Sequence, residues 1–259
     1  AEAKDGLIPN ERGGDHHSPS YNSVDACFWY FWALQQYCLK ANGEATVKKE
    51  FGKTMFDILM VYEKNKSPYG FVNDDGLLSL GSANTQLTWM DAQVCGVPVT
   101  PRNGYAVEIN ALWYNALCFY SNLFPDEFKK NFPKLKACLK TIPKAFLQMF
   151  WLEDQGYLAD VVTDGNQDKS VRPNQVIAAA MPECLLNKTQ LQKLLAVVDR
   201  ELFTPYGLRT LSPQNPKYRG WYKGDQKERD YSYHQGSVWP WLIGPYTDLF
   251  LKVNAGKKK

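Results

Sequence analysis

Five short segments place aromatic rings beside carboxylates, amides or cations. They are Tyr21-Asn22-Ser23-Val24-Asp25, Leu87-Thr88-Trp89-Met90-Asp91-Ala92, Val107-Glu108-Ile109-Asn110-Ala111-Leu112-Trp113, Val171-Arg172-Pro173-Asn174-Gln175 and Tyr233-His234-Gln235-Gly236-Ser237-Val238-Trp239-Pro240-Trp241. A ring face beside a hydrogen-bonding edge suits a sugar, which has C–H faces and hydroxyl rims, and small-molecule sites in general need that mixture. Taken singly, each segment has a plainer reading. Asp25 and Glu108 would complement a helix dipole. His234 would be a satisfied structural histidine, Arg172 half of a structural ion pair, and Trp239 and Trp241 core.

The elements that must hold these segments read as helices. Residues 24–40 are apolar nearly all round, with Asn22 and Ser23 available as caps, and so predict a buried helix. In residues 44–64, Val47, Phe51, Met55, Ile58, Leu59 and Tyr62 recur at three- and four-residue steps. Residues 107–124 form a third helix. Residues 126–151 form another, broken at Pro133 and kinked at Pro143. An amphipathic helix over 189–203 and a closing one over 236–253 follow. Strand alternation is confined to short hairpins near 69–80 and 156–162. The loops 67–88 and 206–233 are long enough to be functional rather than mere connections. No linker tract divides the chain, so residues 1–259 are read as one domain.

Composition removes several classes. Charged residues make up 22% and the net charge is +3, part of it from the terminal Lys257, Lys258 and Lys259. That leaves no concentrated basic face for nucleic acid. Aromatic residues reach 14%, with 8 Trp, 15 Tyr and 13 Phe. The six cysteines show no metal-ligand spacing and read as reduced core residues. No Gly-rich phosphate loop or His cluster implies a nucleotide or a metal. Neither a signal peptide nor a membrane span is visible, so no membrane partner is expected and a cytoplasmic location is the default.

Several of these strings, with Thr100-Pro101-Arg102 and Gly6-Leu7-Ile8-Pro9-Asn10, resemble the amylo-α-1,6-glucosidase part of glycogen debranching enzymes. They occur in that family's order from about Gly6 to Leu251. The resemblance implies an all-α fold, an (α/α)6 barrel like that of glucoamylases, expected to be incomplete at both ends. It implies hydrolysis of α-1,6-linked glucosyl stubs on glycogen or another branched α-glucan, without a cofactor. Asp91 matches the family's general acid. Its neighbours Trp89, Met90 and Ala92 would raise its pKa by desolvation, as an acid of this kind requires.

The implied mechanism is inverting, with a second carboxylate activating water. In the family this base is a Glu beyond the His-Gln-Gly segment, and that acidic motif is absent here. The base is therefore expected beyond Lys259, with Glu108 as the fallback inside the chain. Asp25, Arg102, Asn110, Arg172, Asn174, Gln175, His234 and Gln235 are expected to bind sugar hydroxyls, between walls of Trp89, Trp113 and Trp239. Other helical-toroid glycosidases, trehalase-like or oligosaccharide-trimming, share this pattern. A non-catalytic glycogen-binding fragment is a further alternative. A sugar epimerase would need proton-shuttling histidines, and His16 and His17 sit together in a polar loop.

Overall fold

The apolar spacing does produce helices, and Pro, Gly and Asn set many of their ends. The structure, a computed structural model, describes residues 3–11, 18–82 and 84–255. His16, His17 and residues 257–259 lie outside these. In chain order come α1 (Asp25–Ala41), α2 (Glu44–Thr46), a π-turn (Val47–Phe51) and α3 (Gly52–Glu63). Next are strands β1 (Gly70–Val72), β2 (Leu78–Leu80), β3 (Gln93–Val94), β4 (Val97–Pro98) and β5 (Tyr105–Ala106). Then come α4 (Val107–Leu123), α5 (Pro125–Asn131) and α6 (Pro133–Phe150), followed by β6 (Trp151–Leu152), β7 (Tyr157–Leu158), β8 (Val161–Thr163) and β9 (Asn166–Gln167). The rest are α7 (Asn174–Ala180), α8 (Lys188–Glu201), β10 (Phe203–Thr204), β11 (Gly207–Arg209), α9 (Gln226–Tyr233), β12 (Val238–Trp239), a 3-10 turn (Pro240–Leu242) and α10 (Ile243–Asn254).

Helices α1, α4, α7 and α10 pack in succession, each on the next. Helix α3 meets α1 through the rings of Phe28 and Tyr62, 5.8 Å apart. Helix α6 packs on α3 and α4, and α8 on α10. Two polar contacts fix this order. Glu63 of α3 accepts from the Lys134 and Leu135 amides at the start of α6, at 3.0 and 2.9 Å, where a helix has unpaired N–H groups. Lys252 of α10 donates to the carbonyls of Ala179, Ala180 and Met181. That places a cation on the negative end of α7.

Several expectations need correction. The fold is helix-rich, not all-α: among the described residues five small antiparallel sheets join the helices, with no strand longer than three residues. The loop 206–233 contains α9, whose sequence has no apolar stripe; a reciprocal capping box between Asp225 and Glu228 starts it. The closing helix begins at Ile243, because Gly236 takes a φ of 140° and residues 238–242 form a strand and a 3-10 turn. Helix α6 runs on through Pro143, while the break before Pro133 falls as the proline predicts. Of the six unpaired cysteines, Cys27 and Cys138 are core, but Cys95 is exposed on the β3–β4 turn.

Asn110, expected at the sugar, instead ties this architecture together. Its amide oxygen accepts from the Leu78 N–H at 2.8 Å, and its nitrogen donates to the carbonyls of Leu78 and Ala106 at 3.0 Å each. Trp113 likewise lies in the core beside Phe28 and Tyr62, donating to the Gly76 carbonyl at 3.0 Å. Asn110→Ala leaves the buried Leu78 amide without a partner. It should cost roughly 1–3 kcal/mol, read as a lower midpoint in chemical denaturation. An unchanged midpoint would remove Asn110 from this role.

Candidate active site

The N-terminal ends of α1, α4 and α7 and the turn before α10 carry Asp25, Glu108, Asn174 and Trp241. Arg102, itself buried in the loop before β5, ties Glu108 to Asp160 and Thr88. Its Nε donates to Asp160 Oδ2 at 2.9 Å, one terminal nitrogen to Glu108 Oε1 and to Thr88 Oγ1, and the other to Glu108 Oε2 at 2.6 Å. All of its donor directions are used, as a planar guanidinium allows and an ammonium does not. Burial alone would weaken the charge, but Asp160 and Glu108 raise the pKa of Arg102 above its ordinary value. It is a fixed cation.

Asp160 carries the network onward. Its Oδ1 accepts from Asn174 at 2.7 Å, and its Oδ2 lies 3.8 Å from Arg172 Nε. Arg172 donates to the carbonyls of Thr210 and His234 at 3.1 and 2.6 Å and to Gln235 Oε1 at 2.9 Å. Gln235 reaches the Val99 carbonyl and the Thr100 hydroxyl. Two cations and two carboxylates thus balance in a buried cluster, the arrangement that buried charges require.

This cluster holds the segment that carries Asp91. Thr88 is fixed by Arg102, and the Trp89 indole donates to Asn174 Oδ1 at 2.7 Å. The Leu87 carbonyl accepts from the Val24 amide at 2.8 Å, which ties the segment to the start of α1. Met90 is buried, and the next side chain, Asp91, emerges at the surface. Its partly desolvated surroundings raise its pKa above the ordinary carboxylate value. Nearby, Asp25 is pushed up to about 6, mainly by burial; Ser23 pulls it back, and Glu108 and Asp91 add repulsion.

Aromatic rings wall the place. Trp89 meets His234 and Trp241 edge-on at centroid distances of 5.2 and 5.0 Å. Tyr233 lies 4.7 Å from Trp239, which donates to the Tyr233 carbonyl at 2.9 Å. Burial, then the charges of Tyr222 and Asp91, raise the pKa of Tyr233, so Asp91 lies within electrostatic range of this wall.

The expected sugar contacts therefore divide. Asp91, Trp89 and Trp239 keep access to solvent, whereas Arg102, Arg172, Asn174, Gln175, His234 and Gln235 are buried behind them. Gln175 bonds to the Leu158 amide and the Arg172 carbonyl. Glu108 is 0% exposed, and Arg102 takes both its oxygens. Such a carboxylate has neither access to water nor an idle oxygen to receive its proton. Sequence reasoning missed Asp160, Thr88 and Tyr233. An isolated Asp within Tyr157-Leu158-Ala159-Asp160-Val161-Val162 was the available signal for the first. Among the described residues no group of His, Cys, Asp and Glu is placed to hold a metal ion, and no helix is long and apolar enough to cross a membrane.

Comparison with known proteins adds to this geometry. A profile described as amylo-alpha-1,6-glucosidase matches residues 1–259. The glycogen debranching enzyme of Saccharomyces cerevisiae is 25% identical over 336 aligned residues, taking in 95% of this chain. The chain spans 22% of that protein's length. A solved sialidase superposes with a TM-score of 0.58 at 13% identity, covering 93% of this chain and 21% of the other, a likeness of fold.

The charges give a pH prediction. Asp25 holds its proton more tightly folded than unfolded, so its contribution to stability falls as pH rises from about 4 to about 6. His234 has the opposite sign. Burial, then Arg172 and Arg102, lower it to about 3, so it withdraws stability as pH falls below about 6.5. The two slopes oppose each other in the wild type. Asp25→Asn should raise stability at pH 7 by on the order of 2 kcal/mol, and thermal unfolding should show the gain vanish near pH 4. Equal midpoints at pH 7 would contradict the buried charge.

Proposed function

We infer the function from one premise: the chain belongs to the amylo-alpha-1,6-glucosidase family. We propose that it hydrolyses α-1,6-linked glucosyl stubs on glycogen or a limit dextrin, with Asp91 as general acid. The observation that carries this reading is the placement of Asp91. It emerges from a segment pinned by Arg102 and Asn174, is flanked by tryptophans and tyrosine, and has a raised pKa. The succession α1, α4, α7, α10 with α3, α6 and α8 packed on it is what part of an (α/α)6 barrel would contain. That closed topology is part of the proposal.

Protonated Asp91 donates its proton to the glycosidic oxygen as the C1–O6 bond breaks, and the bonding pair leaves with that oxygen. Water attacks C1 from the opposite face and yields β-glucose, its proton passing to a base roughly 6.5–9.5 Å from the acid. Glu108 holds Arg102 in place and is reassigned from base to scaffold. The base is proposed to lie beyond Lys259, as the resemblance implies. Trp89 and Trp239 are assigned to the sugar ring, and Asp25, buried at the start of α1 and bonded to Ser23, is moved from the sugar contacts to the bracing groups. The buried Arg102, Arg172, Asn174, Gln175, His234 and Gln235 position those groups and do not touch the sugar.

A second reading, a glucan-binding unit without turnover, is favoured by one observation: Glu108, the fallback base, is committed to Arg102. Proton NMR of a maltosaccharide with a single α-1,6 glucosyl stub separates the two. Release of β-glucose establishes hydrolysis with inversion, and Asp91→Asn should then slow it by roughly 10²–10⁴-fold. Because the acid works protonated, the rate should fall as pH rises through the raised Asp91 pKa, and Asp91→Asn should abolish that limb. Undiminished turnover in Asp91→Asn would overturn the assignment. Glucan binding without glucose release, even with the segment downstream of Lys259 supplied, would favour the second reading.

A further inference from the structure

The loop between β11 and α9 has no part in the acid chemistry, yet it is built with care. Arg219 N–H donates to the Gln235 carbonyl at 2.6 Å, which ties the loop to the network behind Asp91. Gly236 makes this approach possible. A Cβ there would lie 2.6 Å from the Tyr218 ring and 2.8 Å from the Arg219 carbonyl. Further on, Arg229 donates to the Gly224 carbonyl at 2.6 Å, and the Asp225–Glu228 capping box fixes the entry to α9. Helix α9 in turn packs on β3, just beyond Asp91.

Two consecutive aromatic residues on this loop have different surroundings. Tyr222 packs on Tyr233 and Trp239, at centroid distances of 5.5 and 6.0 Å, and so extends the aromatic wall of the site. Trp221 instead lines a separate cleft of about 690 Å³ with Tyr218, Arg219, Lys223 and Glu228. Trp221 is 78% exposed, although Lys223 sits 5.4 Å from its ring centre. Neither burial nor core packing accounts for so large an exposed ring. The cleft combines an open indole, a phenol, donors of both cationic types and a carboxylate acceptor. This is the mixture of ring face and polar rim that fits a saccharide, in a volume typical of ligand sites.

We propose that the Trp221 cleft binds a stretch of linear α-1,4-glucan, the chain that carries the stub presented to Asp91. The choice of an α-glucan rests on the function proposed above, and the cleft itself rests on its own geometry. Continuity supports this occupant. Tyr222 joins the wall at Asp91 while its neighbour Trp221 lines the cleft, so one chain could pass from one to the other. The two cations of the lining, Arg219 and Lys223, lie over the rings of Tyr231 and Trp221, as donors beside aromatic faces rather than as a bare basic cradle for phosphate.

Calorimetric titration with maltohexaose tests the assignment. The wild type should bind, and Trp221→Ala should bind about tenfold or more weakly, the scale of losing one aromatic anchor. Tyr206→Ala removes another exposed aromatic on the β10–β11 turn and should change nothing. Cellohexaose, the β-linked isomer, should bind poorly. Unchanged affinity in Trp221→Ala, or a wild type that ignores maltohexaose, overturns the cleft. The stub-hydrolysis reading is judged separately by Asp91→Asn turnover. Glucose release with no Trp221 effect would sink only this inference, and a Trp221 effect without glucose release, the segment downstream of Lys259 being supplied, would sink only hydrolysis.

Discussion

The guanidinium of Arg102 is the group on which the described site depends. It is buried with Glu108 and Asp160, and removing any one member would leave charge uncompensated in a dry interior. Buried ion pairs of this kind often add little net stability compared with apolar packing. Their strength here is geometric. A planar cation with fixed donor directions accepts Thr88, Glu108 and Asp160 in one arrangement only. The segment that bears Asp91, the start of α4 and the turn before β8 are set by the same group.

The site is therefore built in two layers with opposite requirements. Behind, Arg172 bonds to Gln235 and to the His234 carbonyl, and Asn174 bonds to Asp160, all of them sealed from water. In front, Asp91 and the faces of Trp89 and Trp239 are left to meet a ligand. Asp25 lies between: it is buried like the rear layer but remains electrostatically uncomfortable when charged. Such discomfort is common close to functional sites.

Much of the architecture was legible because helices declare themselves by apolar spacing, as Met55, Ile58, Leu59 and Tyr62 do in α3. Helix α9 was not, since Gln226 to Tyr233 carry no stripe and their helix begins from a local cap. Strands of two or three residues are too short to alternate, and so most of the small sheets stayed hidden. The site was legible as a set of segments, all five of which meet at the described end of the molecule. The roles within it were not. A residue that touches a sugar and one that braces it are both polar and both sit beside aromatics, so Asn110 and Asn174 look alike in sequence. Only burial and bonding partners separate them. Asp160 carried a signal, a charge within an apolar stretch between β7 and β8, that points to a buried partner rather than to a ligand.

The span of the charge cluster bears on how the chain acquires its shape. Thr88, Arg102, Glu108, Asp160, Arg172 and Gln235 come from six stretches separated by up to 147 positions, and none can be desolvated before its counterpart arrives. Helices α1, α4 and α6 need only local contacts and can form early, whereas contacts so distant along the chain form slowly. During refolding, helical circular dichroism should recover before the fluorescence of Trp89, whose indole is held by Asn174 at the edge of the cluster. A polypeptide still emerging during synthesis would carry paired helices long before it carried a place for a ligand.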